Sequence, residues 1–231
     1  MAQMFLSFKR PNFARKIKTM RKISYDINTL LDEFGVEVLE SHPELDNWLS
    51  ATIELTQQQS LLLEACRLNF LRQGSEWNEE ELKLKFLSFL FYVADVEVEK
   101  KIQTFFERPL SSEINEIHLS VVSDCMIASP KGKGVPKSPY FFLQEFKKQK
   151  GDKNDPEGQM FAAMLIAQHL NPKPNPIYGA WLVGNQWCFT MLLDKQYICS
   201  KYYDATDPIE LNRIVAAIRY LKSMILSQNP D

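Results

Sequence analysis

Glycine is scarce in this chain, at 8 of 231 residues, about half of the usual ~7%. So few leave little room for the glycine-rich loops that cradle phosphates. Neither GxGxxG nor GxxxxGK[ST] occurs, so a dinucleotide fingerprint and a P-loop have no support. Cysteine is sparse as well. Cys66, Cys125, Cys188 and Cys199 form no CxxC, and their spacings fit neither a zinc ribbon nor a disulfide framework. They read as reduced, mostly buried thiols of a cytoplasmic protein. His42, His118 and His169 stand far apart and HExxH is missing, which removes the commonest zinc-hydrolase pattern. The longest apolar run, residues 87–94, is interrupted by Ser88 and is far too short to span a bilayer. The N-terminus lacks the apolar stretch of a signal peptide.

What remains is an ordinary globular composition, 45% hydrophobic and 24% charged, in a chain long enough to bury a core without disulfides or metal staples. The net charge of −2 is a sum of opposites. Residues 1–23 hold Lys9, Arg10, Arg15, Lys16, Lys18, Arg21 and Lys22 and no acid. Residues 24–107 carry 17 Asp/Glu against 6 Lys/Arg. A second basic cluster, Lys131, Lys133, Lys137, Lys147, Lys148, Lys150 and Lys153, is opposed within its span only by Glu145 and Asp152. Lysines so placed neutralise phosphates without reading sequence, or simply keep a loop soluble.

Three- and four-residue spacing of apolar residues predicts helices near 25–34, 45–55 and 57–72, and Gly74-Ser75 then breaks the pattern. Asn78 followed by Glu79, Glu80 and Glu81 predicts the capped, acid-rich start of a helix that continues to Val93. Alternation and β-branched residues predict strands at 116–128, 140–148, 177–183, 187–193 and 196–203. Asp155-Pro156 and Asp207-Pro208 open helices ending near Leu170 and Ile225. From residue 76 the order is α-β-β-α-β-β-β-α. The expected fold is α/β, a central mixed sheet flanked by helices, with a helical region at 1–75 and a second unit at 76–231.

Residues 142–147, Phe-Leu-Gln-Glu-Phe-Lys, contain the chemistry. On a strand, Glu145 and Lys147 project to one side. A carboxylate and an ammonium so placed can share a metal–water cluster, the first holding a hard cation and the second orienting water. Asp124 lies on the preceding strand. If the two strands form a hairpin, the midpoint of 124 and 145 is 134.5, inside the Gly132–Pro136 turn. The two carboxylates then face each other with Cβ atoms roughly 5 Å apart. A register slip of one residue would separate them. The same alternation is also that of a solvated strand face carrying a surface ion pair.

Asp124, a glycine-containing turn, and Glu145-x-Lys147 on a hydrophobic strand resemble the PD-(D/E)XK nuclease superfamily. No literal Pro-Asp occurs, since Ser123 precedes Asp124. The resemblance covers about residues 78–203 and implies a restriction-endonuclease-like core, α-β-β-α-β. It implies Mg²⁺ or Mn²⁺ held by Asp124, Glu145 and the carbonyl of Phe146, with Lys147 positioning the attacking water. Gln159, on the next helix, and Glu81, on the leading helix, match the superfamily's accessory positions; the choice among Glu79, Glu80 and Glu81 rests on their spacing to Lys83 and Phe86-Leu87. The implied function is a metal-dependent nuclease, with DNA ahead of RNA as partner and Lys131, Lys133, Lys137, Lys148 and Lys150 as phosphate contacts. The alternative is a catalytically silent relative that binds nucleic acid or a protein. Residues 1–75 have no counterpart in the superfamily and are the candidate surface for a homodimer or a partner protein.

Overall fold

The computed structural model describes residues 21–132, 134–147 and 155–228. Seven strands form one mixed sheet in the order β1-β7-β6-β5-β4-β3-β2. One side of it, out to the edge, is an antiparallel meander of β2 (Gln103–Ile114), β3 (Ile117–Lys131) and β4 (Val135–Lys147). Helix α6 (Pro156–Leu170) carries the chain from β4 to β5 (Ile177–Val183), which runs parallel to β4. Strands β6 (Gln186–Leu193) and β7 (Gln196–Asp204) continue antiparallel, and α7 (Pro208–Gln228) closes the order.

The sheet is packed on both faces, so its central strands read as near-continuous apolar runs. Successive residues of β4 enter different cores. Phe142 and Phe146 join one cluster with Trp48, Phe91 and Ile218; Leu143 joins the other with Met126, Phe161 and Leu165 of α6. Helix α6 starts where Asp155-Pro156 predicts. Asp155 does not cap its own helix, however. Its Oδ2 accepts from the Ile27 N–H at 2.9 Å, which ties α1 (Ile27–Phe34) to α6. Gly158 permits this contact, because a Cβ there would lie 1.9 Å from the Tyr25 carbonyl oxygen.

Three expectations need correction. Strand β2 has no counterpart in the order predicted from residue 76. Pro109 and the polar run Ser111-Ser112-Glu113 disguise it, and both are tolerated because β2 is the sheet edge. The helix expected at 45–55 is α2 (Pro43–Leu49), after which residues 51–56 have no regular structure. The boundary expected at residue 75 does not separate two cores. Strand β1 (Glu37–Leu39) pairs parallel with β7, so the early region is not purely helical. Trp48 of α2 is fully buried and donates from Nε1 to the Ala217 carbonyl of α7 at 2.8 Å. Leu63, Cys66 and Phe70 of α3 (Gln57–Gln73) join the cluster of Phe142 and Ile218. Among the described residues no helix is long and apolar enough to cross a membrane.

Candidate metal centre

The helix expected from Asn78 forms, and its start is a reciprocal cap. Asn78 Oδ1 accepts from the Glu81 N–H at 2.8 Å, and Glu81 Oε2 accepts from the Asn78 N–H at 3.0 Å. The helix is not uniform. After α4 (Glu79–Leu82) comes one π turn, Lys83–Leu87, before α5 (Ser88–Ala94). Such insertions recur at functional sites. Here the π turn buries Phe86 and Leu87 fully and brings Lys83 with them, at 6% exposure.

Strands β3 and β4 oppose each other in a register set by two irregularities. Next to the turn, Lys131 pairs with Val135, a hairpin centred on 133. A regular ladder from there would set Asp124 opposite Phe142. Shifts between Ile127 and Ala128 and between Ala128 and Ser129 move the pairing, so that Cys125 faces Gln144. With those bulges, Asp124 and Glu145 are the next residues along the two strands beyond the Cys125–Gln144 pair. Both carboxylates are buried, Asp124 at 5% and Glu145 at 3% exposure, so this is no solvated strand face.

Asp124 Oδ2 accepts from the Phe146 N–H at 2.8 Å, and Oδ1 accepts from Lys83 Nζ at 3.2 Å. The same ammonium donates to Glu79 Oε1 at 3.3 Å and to Glu107, and lies 3.7 Å from Glu80 Oε1. Glu107 lies on β2 between the pairs Phe106–Cys125 and Arg108–Ser123. Its φ of 51° is in the left-handed region, which costs a non-glycine residue roughly 1–2 kcal/mol. Oxygen atoms of Glu79, Glu107 and Asp124 all lie within 4.8 Å of one another. Lys147 Nζ stands 3.9 Å from Glu79 Oε2, its side chain 12% exposed.

Five carboxylates (Glu79, Glu80, Glu107, Asp124 and Glu145) thus gather around two ammonium groups, Lys83 and Lys147. Burial, then the charge of Asp124, push the Glu145 carboxyl up to about 9. Its Oε1 is buried without a hydrogen-bond partner. Burial also pushes Asp124 up, to about 6, against the pull of the Phe146 N–H and Lys83. Burial works the same way on Glu79, but its hydrogen bond with Asp124 and the two lysines hold it below the usual range. Burial would lower Lys83; Glu107, Asp124 and Glu79 outweigh it and keep the ammonium charged.

The residues expected at the site divide accordingly. Asp124, Glu145, Phe146 and Lys147 are brought together. Glu81 is not the helix acid that reaches Asp124; it closes the cap and pairs with Lys85 Nζ at 2.6 Å, while Glu79, two residues earlier, turns inward. Gln159 lies in the first turn of α6, which packs on β4, and its Oε1 is buried without a partner. Lys131 and Lys137 are exposed at the hairpin tip. At ~3.3 Å per residue they lie about 23 Å or more along the strands from Asp124 and Glu145, so they do not flank the carboxylates. Lys133, Lys148 and Lys150 fall outside the described residues.

Sequence reasoning used Lys83 only as a spacing marker for the helix acids, not as a site residue, and passed over Glu107. The Glu79–Lys83 spacing of four residues is a visible helical pair. Glu107 had no signal without β2. No protein-family model matches this chain, and no curated protein matches it.

Proposed function

We propose that the protein is a metal-dependent nuclease that hydrolyses phosphodiester bonds, with DNA ahead of RNA as substrate and Mg²⁺ or Mn²⁺ as cofactor. The observation that carries this reading is the buried Asp124–Glu145 pair, with Glu145 Oε1 unpartnered and Lys147 beside it. A buried carboxylate oxygen with no donor costs stability unless something cationic meets it. An all-oxygen donor set suits a hard divalent ion, so the residues fit the cofactor. Asp124, Glu145 and the Phe146 carbonyl would hold it. A bound ion of this kind supplies an acidified water and charge neutralisation at the phosphate.

The protein's own groups do the rest. The Phe146 N–H fixes the Asp124 carboxylate. Lys147, held beside Glu79, orients the attacking water and meets the charge that develops on the phosphate oxygens. Low exposure around Asp124 and Glu145 keeps bulk water from screening that attraction. A helix, three antiparallel strands, a helix and a parallel strand in that chain order support a restriction-endonuclease-like core.

The test compares the parent with Glu145→Ala and Lys147→Ala on DNA and RNA with Mg²⁺ or Mn²⁺. Loss of cleavage in both variants is expected, and equal cleavage by all three proteins refutes the assignment. The Lys83 ammonium among the carboxylates favours a second reading, a silent scaffold with an internal counter-ion. That scaffold would show no Mn²⁺-linked thermal shift dependent on Asp124 and Glu145.

A further inference from the structure

We infer that the site takes a single divalent ion and that Lys83 is its built-in second cation. The inference rests on the metal-dependent reading and concerns what balances the remaining carboxylates.

Three observations carry it. First, the oxygens of Glu79, Glu107 and Asp124 are spaced as ligands of one cation. Their mutual limit of 4.8 Å matches two oxygens on opposite sides of an ion at about 2.4 Å each. The Lys83 ammonium occupies that position, 3.2 Å from Asp124 Oδ1 and 3.3 Å from Glu79 Oε1. Second, Asp124 is divided between two neighbours. Oδ1 serves Lys83, and Oδ2 lies at the Phe146 N–H, next to Glu145. Two-ion hydrolytic sites hold cations roughly 3.5–4 Å apart, and a carboxylate between them serves both. Third, Glu145 Oε1 has no partner while the Lys83 group is fully engaged. One half of the constellation is therefore open to a cation, and the other already has one.

A tethered ammonium does this work without dissociating. It is a compact charge with three donors, and here it has three carboxylate acceptors. It would stabilise charge on the reacting phosphate from the side opposite the ion. The π turn at Lys83–Leu87 and the left-handed Glu107 are the two local departures from regular structure that bring this ammonium and its third acceptor together.

The test counts ions rather than turnover. Mn²⁺ binding is measured by calorimetry and electron paramagnetic resonance on the parent, Lys83→Met, Lys83→Gln and the double variant Lys83→Met/Glu107→Gln. The parent should bind one Mn²⁺ per chain. Each single Lys83 variant should bind two and show a spin-coupled pair, and the double variant should return to one. Two ions in the parent, or one in both single variants, overturns the inference. No ion in the parent instead overturns the metal-dependent reading, so the two failures are distinguishable. If the single variants unfold in chelator, Mn²⁺ should refold them with two ions per chain; refolding with one, or none, also overturns the inference.

Discussion

Replacing Glu145 by glutamine should stabilise the metal-free protein at alkaline pH. In the fold the Glu145 carboxyl holds its proton up to about 9, from an ordinary value of 4.5, because burial and the Asp124 charge disfavour the anion. The unfolded chain releases that proton near its ordinary value. Between those limits the folded state binds a proton that the unfolded state lacks, so stability falls as pH rises, by up to ~1.4 kcal/mol per pH unit. From pH 6 to pH 8 this amounts to about 3 kcal/mol. Asp124, raised only to about 6, contributes mostly below that window. Glutamine keeps the shape and has no proton to lose. Urea unfolding followed by tryptophan fluorescence, in chelator at pH 6, 7 and 8, reads the difference. The parent midpoint should fall across the series and the Glu145→Gln midpoint should stay nearly level. Parallel pH dependence in the two proteins would refute the account of a protonated Glu145. Saturating Mn²⁺ should remove the parent's slope, since a bound cation replaces the proton.

The helix acids separate by role. Glu79→Ala should weaken Mn²⁺ binding severalfold, whereas Glu81→Ala should cost about 1 kcal/mol of stability through the lost cap and leave binding unchanged; calorimetry showing the reverse order would reinstate Glu81 at the site. Trp48→Ala should cost about 3–5 kcal/mol, because the indole is fully buried against Phe142, Tyr178 and Phe189 and hydrogen-bonded to Ala217; a loss under 1 kcal/mol would mean that α2 is dispensable to the shared core. If the proposed nuclease activity holds, Lys131→Ala with Lys137→Ala should leave the rate of phosphodiester cleavage within about twofold, given their ~23 Å separation from the carboxylates, and a loss of tenfold or more would place substrate along the whole hairpin.

Much of the local structure was legible in the sequence. Strand β3 follows alternation at its start and β4 to β7 follow short apolar runs, and α6 starts at Asp155-Pro156, because these signals act over a few neighbouring residues. Asn78 takes its cap for the same reason. The opposition of Asp124 and Glu145 could be read from their spacing about the turn, but only tertiary structure produced it: the hairpin centre is 133, and two bulges restore the register. Strand β2 stayed hidden, since an edge strand tolerates proline and polar residues that a central strand would not. With it was hidden Glu107. Among three consecutive glutamates, the one that turns inward depends on a π turn and on the depth at which Lys83 packs, and neither follows from helical spacing. Periodicity therefore determined which residues share an element and a face. Which carboxylates meet one ammonium was decided by how the edge strand, the central hairpin and the leading helix dock, because burial and charge pairing act through space rather than along the chain.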